Sequence, residues 1–236
     1  MRKRFFTLPV IAGAMSLLVA SPASASVIWD GDAAQGTAAF AAIECAAPGS
    51  VTVADDNAHG KIFKFNKSAG VLRCEGRGMN VGGSEYAFNN NTTHYLGWQF
   101  FVNADNAATV WQWKSVPNSQ QNYPVLMKVE DAQLKLFQVA QGEVWKLIWS
   151  TPVTANTWQK VAVGIHTSDS AIGGWVEFYY NGVKQTFTDG STRYVCRTWD
   201  TYNVPKWGTY GADIQNTSVI NWIDSLKVGT TYADVD

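Results

Sequence analysis

The sequence is poor in the residues from which many catalytic centres are made. Its 236 residues include three cysteines and three histidines. Cys45, Cys74 and Cys196 show no C-x-x-C spacing, which argues against a zinc site or a dithiol redox pair. His59, His94 and His166 make no H-E-x-x-H pair, so the helical metalloprotease arrangement is absent. Beyond the first 25 residues, no apolar run approaches the roughly 20 residues that cross a bilayer as a helix. There is no internal repeat, no low-complexity stretch, no Pro/Ser linker and no long segment with a 3.6-residue hydrophobic period. What remains reads as one β-rich domain.

The first residues have the order of a secretory signal: basic Arg2, Lys3 and Arg4, apolar Leu8 to Ala20, then the small cleavage site Ala23-Ser24-Ala25. Residues 1–25 are therefore expected to be removed, leaving 26–236 as an exported, extracellular, soluble domain. The chain carries 18 basic and 19 acidic residues, and three of the bases lie in the signal, so the mature balance is −4. Such a surface makes nucleic acid and anionic membrane poor partners, and an acidic ligand must be met by a local basic patch. Export also permits a disulfide. Cys45 and Cys74, both in the N-terminal third on segments able to neighbour each other, are the expected pair, with Cys196 free. Closing that loop of about 30 residues is worth roughly 3–4 kcal/mol in the chain-entropy picture.

Strand signals dominate. Residues 61–66, 70–75, 97–102, 109–114, 125–129, 134–139, 144–149, 159–166, 175–180, 183–188, 207–211 and 220–228 are short runs rich in Val, Ile, Phe, Tyr and Trp. Asn181-Gly182 between two of them is a strong two-residue hairpin signal. Short helical turns are expected near 36–43 or 103–108. Many short strands with regular turns predict an all-β sandwich of two antiparallel sheets, a jelly roll first among them. Eleven tryptophans exceed what one core needs. About two thirds are expected inside, and the rest to face sugar, whose apolar faces stack on aromatic rings.

Because strand side chains alternate, residues i, i+2 and i+4 share a face. That rule exposes three polar rows: Arg73, Glu75 and Arg77; Gln112 and Lys114, with Trp111 and Trp113 opposite; and Lys206 and Tyr210, separated by Gly208. The glycine leaves a gap where a ligand can approach the backbone. Taken singly, each row also fits a salt-bridge ladder, an exposed sheet face or a snorkelling pair. Together they line one face with Arg, Lys, Gln and Tyr.

That chemistry suits elimination from a uronic acid. Removing the proton beside the carboxylate builds enolate-like charge on it, and donors placed there lower the barrier. Arg and Gln can hydrogen-bond the carboxyl oxygens. A tyrosine among cations can take the proton and return one to the leaving oxygen. A glycoside hydrolase needs two carboxylates flanking one site. Neither E-x-x-x-E nor D-x-E falls on a strand face, and Glu130-Asp131 points apart in a continuing strand.

The three motifs Arg73-Cys74-Glu75-Gly76-Arg77, Gln112-Trp113-Lys114 and Lys206-Trp207-Gly208-Thr209-Tyr210 resemble, in that order, the sheet motifs of jelly-roll polysaccharide lyases. That group includes alginate lyases, heparin lyase I-like enzymes and glucuronan lyases. The similarity spans essentially 26–236, including Trp29-Asp30-Gly31-Asp32 and Trp222-Ile223-Asp224-Ser225-Leu226-Lys227, and is greatest to the glucuronan lyases. It implies a concanavalin A-like jelly roll with a concave groove, cleaving β-1,4-glucuronan by β-elimination without a catalytic cofactor. It implies Tyr210 as base and acid, Gln112 and Arg73 as neutralisers of the carboxylate, and Lys206 as their assistant. Lys114, Arg77 and Glu75 are then substrate-binding neighbours. Alginate lyases usually follow their Gln with x-His, and here that place holds Lys114, which weakens an alginate assignment. His94 and His166 are candidates for the histidine's role, and both also fit surface positions flanking strands. Related lyases often hold calcium where the chain ends meet, so Asp30, Asp32 and Asp224 become expected ligands of a structural Ca2+; Asp30 and Asp32 equally fit a simple Asp-Gly turn. The expected partner is an acidic polysaccharide, met by a monomer. A non-catalytic, lectin-like sandwich is the competing class, and a hydrolase of similar fold would need two carboxylates facing each other in the cleft.

Overall fold

The computed structural model describes residues 26–236; the expected signal segment, 1–25, lies outside them. Two large antiparallel sheets face each other. One has seven strands in the order Val144–Pro152, Gln133–Ala140, Val125–Glu130, Ala108–Ser115, Asn203–Tyr210, Arg73–Arg77 and Ala42–Cys45. The other runs Val183–Lys184, Trp175–Tyr180, Trp158–His166, Thr93–Val102, Val219–Gly229, Gly60–Lys67 and Ser50–Asp56. Val27–Asp30 also pairs with Val219–Gly229, and Tyr194–Val195 with Trp175–Tyr180. A small hairpin joins Asn80–Val81 to Ser84–Glu85. This is a jelly-roll sandwich.

Large aromatics fill the space between the sheets. Trp98 of one sheet packs on Trp111 and Trp207 of the other, with ring centroids 5.5 and 6.4 Å apart, and Trp149 meets Phe178 at 4.6 Å. Seven of the eleven tryptophans are buried: Trp29, Trp98, Trp111, Trp113, Trp149, Trp199 and Trp207. Burying each such ring is worth a few kcal/mol. The polar rows can face outward because these tryptophans occupy the alternate positions.

Local chemistry explains where strands stop. Asn181 and Gly182 both take positive φ, 49° and 79°, and join Tyr180 to Val183 as a tight hairpin. The expected run 70–75 instead begins at Arg73, because Gly70 (φ 85°) and the Val71-to-Ser68 turn keep the chain out of the sheet, and it continues to Arg77. Residues 183–188 pair only as far as Lys184. The helical turn falls at Ala33–Ala39, where Asp32 accepts from the Ala34 N–H at 2.8 Å, whereas 103–108 forms no helix. The structure bonds Cys45 to Cys74 directly across neighbouring strands and leaves Cys196 buried and unpaired.

Candidate active site

Register brings the three polar rows onto one face of the seven-stranded sheet. Lys206 lies opposite both Arg77 and Gln112, Gly208 opposite Glu75, and Tyr210 opposite Arg73. The central Ala108–Ser115 strand is irregular at Val110, so Thr109 comes opposite both Tyr210 and Lys128. Such irregularities re-aim side chains and recur next to active sites. Gly208 has φ 135°, and a Cβ there would meet the Cys74 carbonyl oxygen at 2.2 Å and Glu75 Cα at 2.8 Å. Its glycine serves the close approach of the Arg73–Arg77 strand, not an opening for ligand as its spacing suggested.

Arg73, Gln112, Lys114 and Tyr210, with Asn118, Asn122 and Tyr123, line a cavity of about 260 Å³. The Arg73 guanidinium sits 4.5 Å over the Tyr210 ring and donates through Nη1 to Glu44 at 3.0 Å. Gln112 is buried, and its Nε2 donates to Glu75 Oε1 at 2.6 Å. One of its two amide N–H donors is thereby anchored, leaving the other for a bound carboxylate. Burial pushes the Glu75 carboxyl upward, opposed by the charge of Lys206 and the Gln112 hydrogen bond. Burial would raise Glu44 as well, but the Lys206 hydrogen bond and the charges of Lys206 and Arg73 hold it below the usual carboxylate range.

Glu44 and Glu75 are directly opposite each other, which looks like a hydrolase pair. Their surroundings say otherwise. Glu75 is buried behind Gln112, and Glu44 is tied by Lys206 at 2.7 Å, Arg73 at 3.0 Å and Arg77 at 3.6 Å. Neither lines the cavity.

The remaining expected site residues take other places. Lys206 is buried on Glu44, and Arg77 spans Glu44 and Glu85, so both hold the carboxylate that Arg73 also pairs with, and neither lines the cavity. His94 projects from the other sheet into the core beside Tyr86 and Phe88, where burial pushes its pKa down to about 4. His166, paired opposite Thr93, stacks on Trp175 on that sheet's outer side. Neither reaches the cleft. Asp30, Asp32 and Asp224 do not form a ligand set. Asp32 caps the short helix and Asp224 accepts from His59 at 3.0 Å, and the described residues hold no cluster of three His, Cys, Asp or Glu side chains fit for a metal.

Lys114 does take the place its spacing indicated. Burial, reinforced by the charges of Lys206 and Arg73, lowers its pKa to about 8. It is charged below that pH and neutral above it. Affinity for a polyanion, measured on Tyr210→Phe protein, is therefore expected to fall as pH rises through about 8. Lys114→Gln in the same background is expected to bind more weakly at pH 7 and to lose this dependence.

The cavity's far wall was not foreseen from sequence. It is the 116–123 loop, held by the Asp200 carboxylate, which accepts from the Ser119 and Gln120 N–H groups at 2.5 and 3.1 Å and pairs with Arg197 at 3.1 Å. Burial and the neighbouring Glu143 push the Tyr123 phenol on that loop up to about 12.

A polysaccharide lyase family model matches residues 40–227, so the chain belongs to the polysaccharide lyases. Among curated proteins none matches in sequence. Solved structures share the fold at low identity. Alginate lyase AlgAT5 of polysaccharide lyase family 7 is 19% identical, covering 77% of this chain and 82% of its own, with a TM-score of 0.55. Alginate lyase A1-II′ is 16% identical over 75% of this chain and 82% of its own, TM-score 0.51. A carbohydrate esterase of the Shiga toxin-encoding bacteriophage phi24B is 14% identical over 88% and 100%, TM-score 0.56. At these identities the likeness is one of fold.

Proposed function

We propose that the protein is an exported lyase that cleaves a polyuronate by β-elimination, with β-1,4-glucuronan as its preferred substrate. The observation that carries this reading is the convergence of Tyr210, Arg73, Gln112 and Lys114 on one cavity within a polysaccharide lyase chain. A uronate bound there would place its carboxylate against the free N–H of Gln112, the Arg73 guanidinium and the Lys114 ammonium. As C5–H is broken, the electron pair moves toward the carboxylate, where these donors stabilise it. The C4–O bond then breaks to give the C4–C5 double bond, and the leaving oxygen takes a proton. Tyr210 is the group assigned to remove the first proton and deliver the second.

Stereochemistry favours glucuronate and mannuronate over guluronate. In 1,4-linked β-D-glucuronate and β-D-mannuronate, H5 and O4 lie on the same side of the ring, so one phenol can serve both. In α-L-guluronate they lie on opposite sides, and a second proton-handling group is needed. The described histidines do not reach the cavity, and of its two phenols Tyr123 is pushed up to about 12 by burial and Glu143, which leaves Tyr210 as the phenol assigned to handle protons. On the stereochemistry, kcat/KM for glucuronan and for polymannuronate is expected to exceed that for polyguluronate; glucuronan is placed ahead of polymannuronate by the motif resemblance and by Lys114 standing where alginate lyases carry histidine. Equal or faster cleavage of polyguluronate would refute the single-phenol scheme. The signal-like residues 1–25 support an extracellular site of action.

A further inference from the structure

We propose that the cleft continues past the candidate catalytic cavity to a distal uronate subsite built on Trp145 and Lys128. This inference rests on the polyuronate lyase reading and names where a more distant sugar of the same chain is held.

Trp145 is 43% exposed, the most exposed of the tryptophans, and it lies on the outermost strand of the sheet that carries the cavity. The other partly buried tryptophans, on the opposite sheet, have spent their faces. Trp222 is stacked with Phe101 at 4.8 Å and covered by Lys64, Trp158 is stacked with His59 at 4.0 Å, and Trp175 lies under Arg193. Trp145 instead meets Tyr123 at 57° and Phe137 at 74°, tilted or edge contacts that do not cover its ring in parallel. Tyr123 also lines the catalytic cavity, so the surface is continuous from Tyr210 to Trp145.

Register supplies the line of the groove. Phe137 lies opposite Leu126, Leu126 opposite Gln112, and Gln112 opposite Lys206. Three inter-strand steps separate the Gln112 strand from the Trp145 strand, about 14 Å at the usual spacing. That is the reach of a short oligosaccharide, not of one sugar. Lys128 Nζ lies 5.9 Å over the Trp145 ring, farther than Lys64 lies over Trp222, and pairs with Glu130, an ion pair that a bound uronate carboxylate would share. A uronate presents the complementary pair, an apolar ring face and a carboxylate.

The test compares initial rates on glucuronan polymer and on glucuronate oligomers of increasing length, for wild type, Trp145→Ala and Lys128→Gln. For Trp145→Ala, KM on the polymer is expected to rise by roughly three- to tenfold, with kcat unchanged. The shortest cleavable oligomers should show wild-type KM in both variants, and the Lys128→Gln effect should shrink at high salt. Wild-type KM on polymer in both variants, or a rise equal for short and long substrates, would overturn the subsite. Failure of the underlying reading looks different: wild-type protein would release no unsaturated product at any length.

Discussion

Tyr210→Phe is expected to reduce elimination by at least a thousandfold while leaving polyuronate affinity within a fewfold of wild type. The substitution removes one oxygen and keeps the ring that Arg73 covers at 4.5 Å. Packing and the cation–π contact therefore survive, and the melting temperature should hardly move. What is lost is the atom assigned to carry the proton from C5 and back to O4. None of the other cavity groups replaces it well. Burial and Glu143 hold Tyr123 as a phenol far above neutral pH, and the Arg73 guanidinium and Gln112 amide supply hydrogen-bond donors and no base. Lys114, half neutral near pH 8, is the one group that can yield a residual rate, and that residue should grow with pH. Rates followed by product ultraviolet absorbance, with binding measured separately, check this.

Gln112→Ala should lower kcat by roughly 10²- to 10³-fold, as expected when a preorganised donor to a developing oxyanion is removed. Gln112 is fixed by its 2.6 Å hydrogen bond to Glu75, so its second N–H needs no reorganisation during the reaction. Its loss has a second consequence. Glu75 is buried and would forfeit that partner, which should destabilise the fold by about 1–3 kcal/mol. Thermal melts separate the two effects, because the kinetic loss should persist well below the melting temperature. A variant with near wild-type kcat would show that the carboxylate is neutralised elsewhere.

Much of this site was legible because strands impose a two-residue period. Spacing alone put Arg73 with Glu75 and Arg77, Gln112 with Lys114, and Lys206 with Tyr210, with tryptophans at alternate positions marking the buried side; the register between strands is what joins the three rows. Glu44 was missed because its strand, Ala42–Cys45, has only four residues and overlaps a stretch read as a helical turn. The signal was nonetheless present. Once Cys45 is bonded to Cys74 in an antiparallel pair, the residue before one must face the residue after the other, which sets Glu44 against Glu75. The disulfide thus ties together the two strands that hold the ionic frame behind Arg73. Lys206 and Arg77 share the face as their period requires, yet alternation cannot tell a side chain that lines a cleft from one buried in an ion pair beside it. The histidines and the loop residues Asn118, Asn122 and Tyr123 were beyond that rule. Their positions depend on tertiary contacts such as the Asp200 anchor, which joins residues about 80 apart in sequence.

The central claim is that this cavity performs elimination on a glucuronate chain. Incubating the purified wild-type protein with β-1,4-glucuronan, with no additive, and following ultraviolet absorbance tests it most directly. The expected result is a steady rise from C4–C5 unsaturated ends, at least a thousandfold slower with Tyr210→Phe. Binding of the polymer without any such rise, or cleavage that yields only saturated ends, would contradict it.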